Sequence, residues 1–202
     1  MIELENTLEK DSVIVSDNDS YQWPIAEYLS YGPEDKDFYF STGFTLGWGL
    51  PAAFGVKLAM PDRPVVCLVS DGTFLFSGPQ PLWSYSRYRA PVLIIVMNNF
   101  SYNNERNRIM SRRGRSYETG RDMVCYLGDP DVDYVKLAAG FGVDGEIVDK
   151  PDDIKSAIKR GMKATVEGRA YLLDMHVERS GTMADSTWHP EYHINAIRTR
   201  NV

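Results

Sequence analysis

The sequence predicts a doubly wound α/β fold: a mostly parallel sheet with helices on both faces. Three observations predict it. Residues 65–69 and 91–97 form apolar runs that keep no polar face for water, and strands buried on both sides belong to parallel sheets covered by helices. Segments of helical periodicity separate the apolar runs, as strand–helix–strand crossovers require. No internal repeat, low-complexity tract or flexible linker breaks the 202 residues, a length that suits one well-buried domain.

Along the chain, Val13-Ile14-Val15 reads as a short strand and Asp17-Asn18-Asp19-Ser20 as the polar turn after it. Residues 22–29 suit a short helix with Pro24 in its first turn, where the missing N–H does no harm. Residues 47–60 read as a helix whose small residues Gly49, Ala52, Ala53, Gly55 and Ala59 permit close backbone approach, with Pro61 as its stop. The strand at 65–69, a helix at 79–88 and the strand at 91–97 follow. Residues 133–141 form the next helix, ended by Gly142. Over 152–166, Ile154, Ala157, Ile158 and Met162 recur at helical spacing, with Lys155, Lys159 and Lys163 on another face. Residues 171–177 are the last strand. The expected division is a domain over 1–180 and a C-terminal tail over 181–202.

Composition excludes several classes. Apolar content of 43% and charged content of 25% are ordinary for a globular protein. A net charge of −6 and a pI near 5.1 argue against a nucleic-acid binder, which needs a basic face. No apolar run approaches the roughly 20 residues of a membrane span, and the N-terminus lacks the pattern of a signal peptide. Cys67 and Cys125 cannot build a disulfide framework and read as reduced thiols of a cytoplasmic protein. His189 and His193 stand four apart, but Pro190 follows directly, so an ordered tail is preferred there over a metal site.

In a doubly wound sheet, ligands bind beyond the carboxyl ends of the strands. Three polar segments leave strand ends, at 17–20, 70–73 and 98–103; if their strands are neighbours, all three meet in one crevice. Asp71 follows five apolar residues, where a carboxylate is costly unless something pairs with it. Gly72 lets the backbone turn close to a ligand, and Thr73 adds a hydroxyl. Asn98 and Asn99 end the next apolar strand in the same manner. A hard divalent cation takes oxygens, and Asp71 and Asn99 supply a carboxylate and an amide carbonyl beside a diphosphate. Each element alone also reads as a helix cap at Asp71 or a turn at Asn98-Asn99; the pairing is more specific.

This pairing resembles the thiamine-diphosphate motif, Gly-Asp-Gly followed by Asn-Asn. Leu46-Gly47-Trp48-Gly49-Leu50-Pro51-Ala52-Ala53, Asp62-Arg63-Pro64-Val65-Val66 and Asp133-Tyr134-Val135-Lys136-Leu137-Ala138 are similar to segments around that motif. The likeness is to the C-terminal, diphosphate-binding domain of the acetolactate synthase and pyruvate decarboxylase superfamily. It implies Mg²⁺ held by Asp71, Asn99 and the carbonyl of Ser101, and a diphosphate held by Gly72, Thr73, the amides near Tyr102, and Asp19 and Ser20. It further implies that Leu46 props the cofactor into its bent shape and that the Phe44 carbonyl faces its 4′-amino group. Ser70 departs from the family's first glycine, and Phe44 stands where glycine is common.

The resemblance also implies what is missing. The glutamate that activates the cofactor sits in a separate pyrimidine-binding domain, and no second α/β domain is legible here. The chain is therefore expected to be one subunit of a hetero-oligomer whose partner carries that domain; a piece of a longer enzyme is the alternative. Glu105 matches an active-site glutamate of pyruvate decarboxylases, or else is an exposed helix residue. Arg106, Arg108, Arg112, Arg113, Arg115 and Arg121 form a basic run that would meet an anionic substrate or line a solvated loop. The family's tail often closes over the site, which makes residues 188–192 a candidate lid. The expected activity is that of a lyase or carboligase: acetolactate-synthase-like carboligation, 2-oxo acid decarboxylation or 2-hydroxyacyl-CoA cleavage. Two other readings are a non-catalytic thiamine-binding regulatory subunit and a nucleotide-binding module, the latter without a Gly-x-Gly-x-x-Gly or P-loop.

Overall fold

Six parallel strands form one sheet in the order β2-β1-β3-β4-β6-β5. The strands are β1 (Val13–Asp17), β2 (Asp37–Phe40), β3 (Val65–Ser70), β4 (Leu93–Asn98), β5 (Asp144–Val148) and β6 (Tyr171–His176). The helices are α1 (Ile2–Glu5), α2 (Gln22–Tyr28), α3 (Gly49–Ala59), α4 (Asp71–Ser77), α5 (Gln80–Arg87), α6 (Asn103–Met110), α7 (Arg115–Thr119), α8 (Tyr134–Gly140) and α9 (Ile154–Val166). This computed structural model describes residues 1–18, 20–41, 43, 45–110, 114–120 and 124–179; the C-terminal tail and its histidines lie outside them. Among the described residues no helix is long and apolar enough to cross a membrane.

The apolar runs predict this layering because successive strand side chains point to opposite faces. On β3, Val65, Cys67 and Val69 pack with Leu50 and Ala53 of α3, Phe74 of α4, Leu82 and Tyr85 of α5, and Tyr134 and Ala138 of α8. Val66 and Leu68, on the other face, pack with Leu4 of α1, Ile25 of α2 and Ala157 and Ile158 of α9. Two cores therefore sandwich the sheet, which accounts for the lack of a polar face on β3 and β4. Both cysteines are free and buried. Cys125, in a stretch that reads as polar, is only 3% exposed.

The edge strands β2 and β5 are not legible in the sequence. β5 buries only Val148 fully, so its residues carry no apolar run. β2 is four residues long, and its Phe38 is held by rings at Tyr31 and Phe40, each 5.6 Å away. The polar segment at 70–73 starts a helix: Asp71 is the first residue of α4, and the cap is Ser70 rather than Asp71, in a reciprocal Ser70–Thr73 capping box.

Only part of the small-residue face of α3 packs closely. A Cβ on Gly49 would lie 2.5 Å from Asp17 Cβ, whereas one on Gly55 would meet nothing within 4 Å. Gly49→Ala is accordingly expected to destabilise the chain by about 1–3 kcal/mol through overpacking. Gly55→Ala, mid-helix and unobstructed, is expected to stabilise it by about 0.5–1 kcal/mol. Urea midpoints of the two variants, moving in opposite directions, check both.

Candidate functional site

In this strand order the chain runs outward from β1 to β2 and then returns to β3, so the switch point lies between β1 and β3. The neighbouring carboxyl ends of β1, β3 and β4 bring together the three polar segments, as their sequence positions predict. A cleft of about 500 Å³ opens there, lined by Ser20, Leu46, Ser70, Gly72, Thr73, Phe76, Asn99, Ser101, Tyr102, Asn103, Asn104, Glu105, Ile109, Val124 and Cys125. Asp71 lies beneath it, fully buried.

One backbone N–H organises the floor. Ser101 N–H donates to Asp71 Oδ2 at 2.9 Å and to Asn99 Oδ1 at 3.0 Å, so the carboxylate and the amide oxygen converge. Asp71 Oδ1 accepts from Gly72 N–H at 2.9 Å. Burial pushes the Asp71 carboxyl up to about 7; hydrogen bonds from Gly72 and Ser101 oppose the rise, and the negative charge of Asp174 adds to it. No cation pairs with this carboxylate among the described residues, and a buried uncompensated acid beside a second carbonyl oxygen is a donor set that fits a hard divalent ion. Ser101 forms an antiparallel bridge with Tyr126, flanked by Tyr102 N–H to Cys125 O and Leu127 N–H to Phe100 O, both 2.8 Å. In that pairing the bridged residue's own N–H and C=O face away from its partner strand, so the Ser101 carbonyl shares the side from which its N–H reaches Asp71.

A second layer holds these groups. Asn99 Nδ2 donates to the phenolic oxygen of Tyr21 at 3.0 Å; burial pushes the Tyr21 phenol up to about 12, so it stays neutral. Asn98 turns the other way: its Nδ2 donates to Asp174 Oδ1 at 3.0 Å, and its Oδ1 accepts from Phe100 N–H at 3.1 Å. Phe100 adopts φ +55, a left-handed turn that sets up the Ser101 loop. At the β1 end, Asp17 Oδ2 accepts from Gly47 N–H at 2.9 Å and from Gly49 N–H at 3.0 Å, which places Leu46 at the cleft.

Several expected donors are engaged within the protein. The Thr73 hydroxyl donates to the Asp17 carbonyl at 2.8 Å, and its N–H bonds the Ser70 hydroxyl at 3.2 Å. With Thr73 only 2% exposed, its role is to tie α4 to β1 rather than to offer a free hydroxyl. Tyr102 N–H donates to the Cys125 carbonyl at 2.8 Å. Gly72 is required by the tyrosine ring itself: a Cβ there would lie 2.7 Å from Tyr102 Cδ1.

Ser20 and Leu46 line the cleft; Asp19 and Phe44 lie outside the described residues. Glu105 sits on α6 at the cleft rim, exposed, its Oε1 accepting from Arg108 Nη1 at 2.6 Å. Of the basic run, Arg106 bonds Asn103 and Asn107, Arg115 is exposed on α7, and Arg112, Arg113 and Arg121 lie outside the described residues. Asp17, Tyr21 and Asp174 were not singled out from the sequence. Asp17 and Asp174 end or interrupt apolar runs as Asp71 does, a signal that could have found them; nothing marks Tyr21.

Residues 17–174 match the family model described as "Thiamine pyrophosphate enzyme, C-terminal TPP binding domain". The chain is 30% identical over 208 residues to the acetolactate synthase large subunit of Parasynechococcus marenigrum, covering 95% of this chain and 32% of that protein. It is 29% identical over 171 residues to the acetolactate synthase isozyme 3 large subunit of Escherichia coli K12, covering 84% and 28%. Among solved structures it resembles the thiamine diphosphate-dependent 4-hydroxybenzoylformate decarboxylase of Rhodococcus jostii RHA1, with TM-score 0.75, 29% identity, and 88% and 31% coverage. The chain spans about a third of the length of the curated relatives it matches.

Asp174 supplies a pH test. Burial pushes its carboxyl up, opposed by the Asn98 hydrogen bond and by His176, whose Nε2 is 3.7 Å away. An acid with a raised folded pKa holds its proton more tightly when folded. Its favourable contribution is therefore present below the ordinary value of 3.8 and is lost as pH rises through the carboxylate range toward the folded pKa. Urea unfolding across that range is expected to show stability falling with pH, with a shallower fall in Asp174→Asn; identical slopes would contradict the assignment.

Proposed function

Because the chain belongs to the thiamine pyrophosphate enzyme family, as its C-terminal TPP-binding domain, we propose that it supplies the diphosphate and Mg²⁺ half of a lyase or carboligase active site. The convergence of Asp71 Oδ2 and Asn99 Oδ1 on Ser101 N–H carries the reading. Those two oxygens and the Ser101 carbonyl are the ligands this chain offers to Mg²⁺. The cation would restore the charge balance that burial denies to Asp71, holding it ionised.

Ser20, Gly72 and the first-turn N–H groups of α6 line the cleft where phosphate oxygens would lie. Leu46 contributes apolar surface beneath the cofactor's rings, at a position anchored by Asp17. Glu105, at the rim and paired with Arg108, would exchange protons with a substrate once Arg108 releases it. When bound, thiamine diphosphate supplies a carbon nucleophile and an electron sink for bonds made or broken beside a carbonyl. The substrate class is a 2-oxo acid or a 2-hydroxyacyl-CoA, and the acetolactate synthase and decarboxylase relatives favour the former.

The activating glutamate is assigned to a pyrimidine-binding unit on a partner chain, in an assembly with two or more copies. The match to a C-terminal TPP-binding domain supports a site that a second unit completes. Steady turnover of a 2-oxo acid by the purified chain with thiamine diphosphate and Mg²⁺ alone would overturn the half-site reading. Isothermal titration calorimetry tests the binding role directly. Asp71→Ala is expected to weaken thiamine diphosphate binding in Mg²⁺ by about 100-fold, while Glu105→Gln leaves binding unchanged and lowers turnover of the reconstituted enzyme.

A further inference from the structure

Tyr21 lies at the N-terminal cap of α2, 6% exposed, on an element separate from both candidate metal ligands. Its hydroxyl meets Asn99 Nδ2 at 3.0 Å, and Asn99 is 1% exposed. The other end of that amide accepts from Ser101 N–H at 3.0 Å, beside Asp71. A buried amide needs partners at both ends, because an unsatisfied N–H costs more than a lost hydrogen bond. A phenol both donates and accepts, so Tyr21 alone does not choose the amide's orientation; the Ser101 N–H does that by demanding an acceptor. Tyr21 gives the amide nitrogen somewhere to go other than the Asp71 carboxylate.

We propose that Tyr21 is a positioning residue, holding the Asn99 amide nitrogen away from Asp71 so that both side-chain oxygens are presented to a divalent cation. The proposal rests on the metal and diphosphate reading of the preceding subsection. Without the hydroxyl, Asn99 Nδ2 loses this acceptor, while the Asp71 carboxylate shares the Ser101 N–H with the amide's own oxygen. A hydrogen bond there would occupy an oxygen lone pair that a cation uses and set N–H groups toward the cation. Tyr21→Phe keeps the ring, its packing against Ile25 and Leu29 included, and removes only the acceptor.

The test is calorimetric titration of Mg²⁺ into the full chain with saturating thiamine diphosphate, alongside the electron paramagnetic resonance spectrum of bound Mn²⁺. Tyr21→Phe is expected to weaken Mg²⁺ binding about tenfold and to alter the Mn²⁺ spectrum. In an Asn99→Asp background, where no amide nitrogen needs placing, the same substitution is expected to weaken binding less than about twofold. A general loss of folding would act equally in both backgrounds, so an equal loss overturns the proposal, as does an unchanged affinity in Tyr21→Phe. If the unmodified chain binds no Mg²⁺ with thiamine diphosphate, the metal reading itself fails and the proposal falls with it.

Discussion

The site depends on one backbone N–H, that of Ser101, shared between Asp71 and Asn99. The first residue of α4 and the loop after β4 are thereby fixed against each other, with no cation at the junction among the described residues. The arrangement is poised rather than relaxed: Asp71 keeps its hydrogen bonds, no cation pairs with it among the described residues, and burial raises its carboxyl toward neutrality. Everything that positions Ser101 therefore bears on the acid. The left-handed Phe100, the Asn98 bonds that hold it and the bridge to Tyr126 all act through that loop.

Much of this was legible in the sequence, for a physical reason. A polar residue closing an apolar parallel strand is conspicuous because the strand offers no other polar group, and Asp71 and Asn99 stand out on that ground. The central strands were readable because burial on both faces leaves a continuous apolar run. The edges β2 and β5 were not, since half-exposed short strands carry no such run. The Thr73 hydroxyl looks available in the motif, and its use in the helix cap shows only once Ser70 and the end of β1 are in place. Tyr21 was invisible because an aromatic residue beside an apolar helix reads as core, and it is core in all but its hydroxyl.

The division of labour between the sheet's faces follows the same logic. Helices α3, α4, α5 and α8 cover one face and α1, α2 and α9 the other, so the cleft at the strand ends is where both cores stop. Asp17 joins them: it ends β1 yet binds the amides of Gly47 and Gly49, where the chain returns to start α3. The close approach of Gly49 to Asp17 makes that junction a packing constraint as well as an electrostatic one.

The doubled asparagine has a consequence for strand alignment. From Leu93 to Met97 β4 is apolar on both faces, so within that run a one-residue slip against β3 or β6 only exchanges one apolar side chain for another. The strand's end does distinguish the registers. Asn98 must meet Asp174 while Asn99 meets Tyr21, and because neighbours on a strand point opposite ways, a slip would misdirect both at once. The polar terminus thus acts as a stop that locates an otherwise featureless strand, so the groups that form the floor of the cleft also fix the alignment of the sheet beneath it.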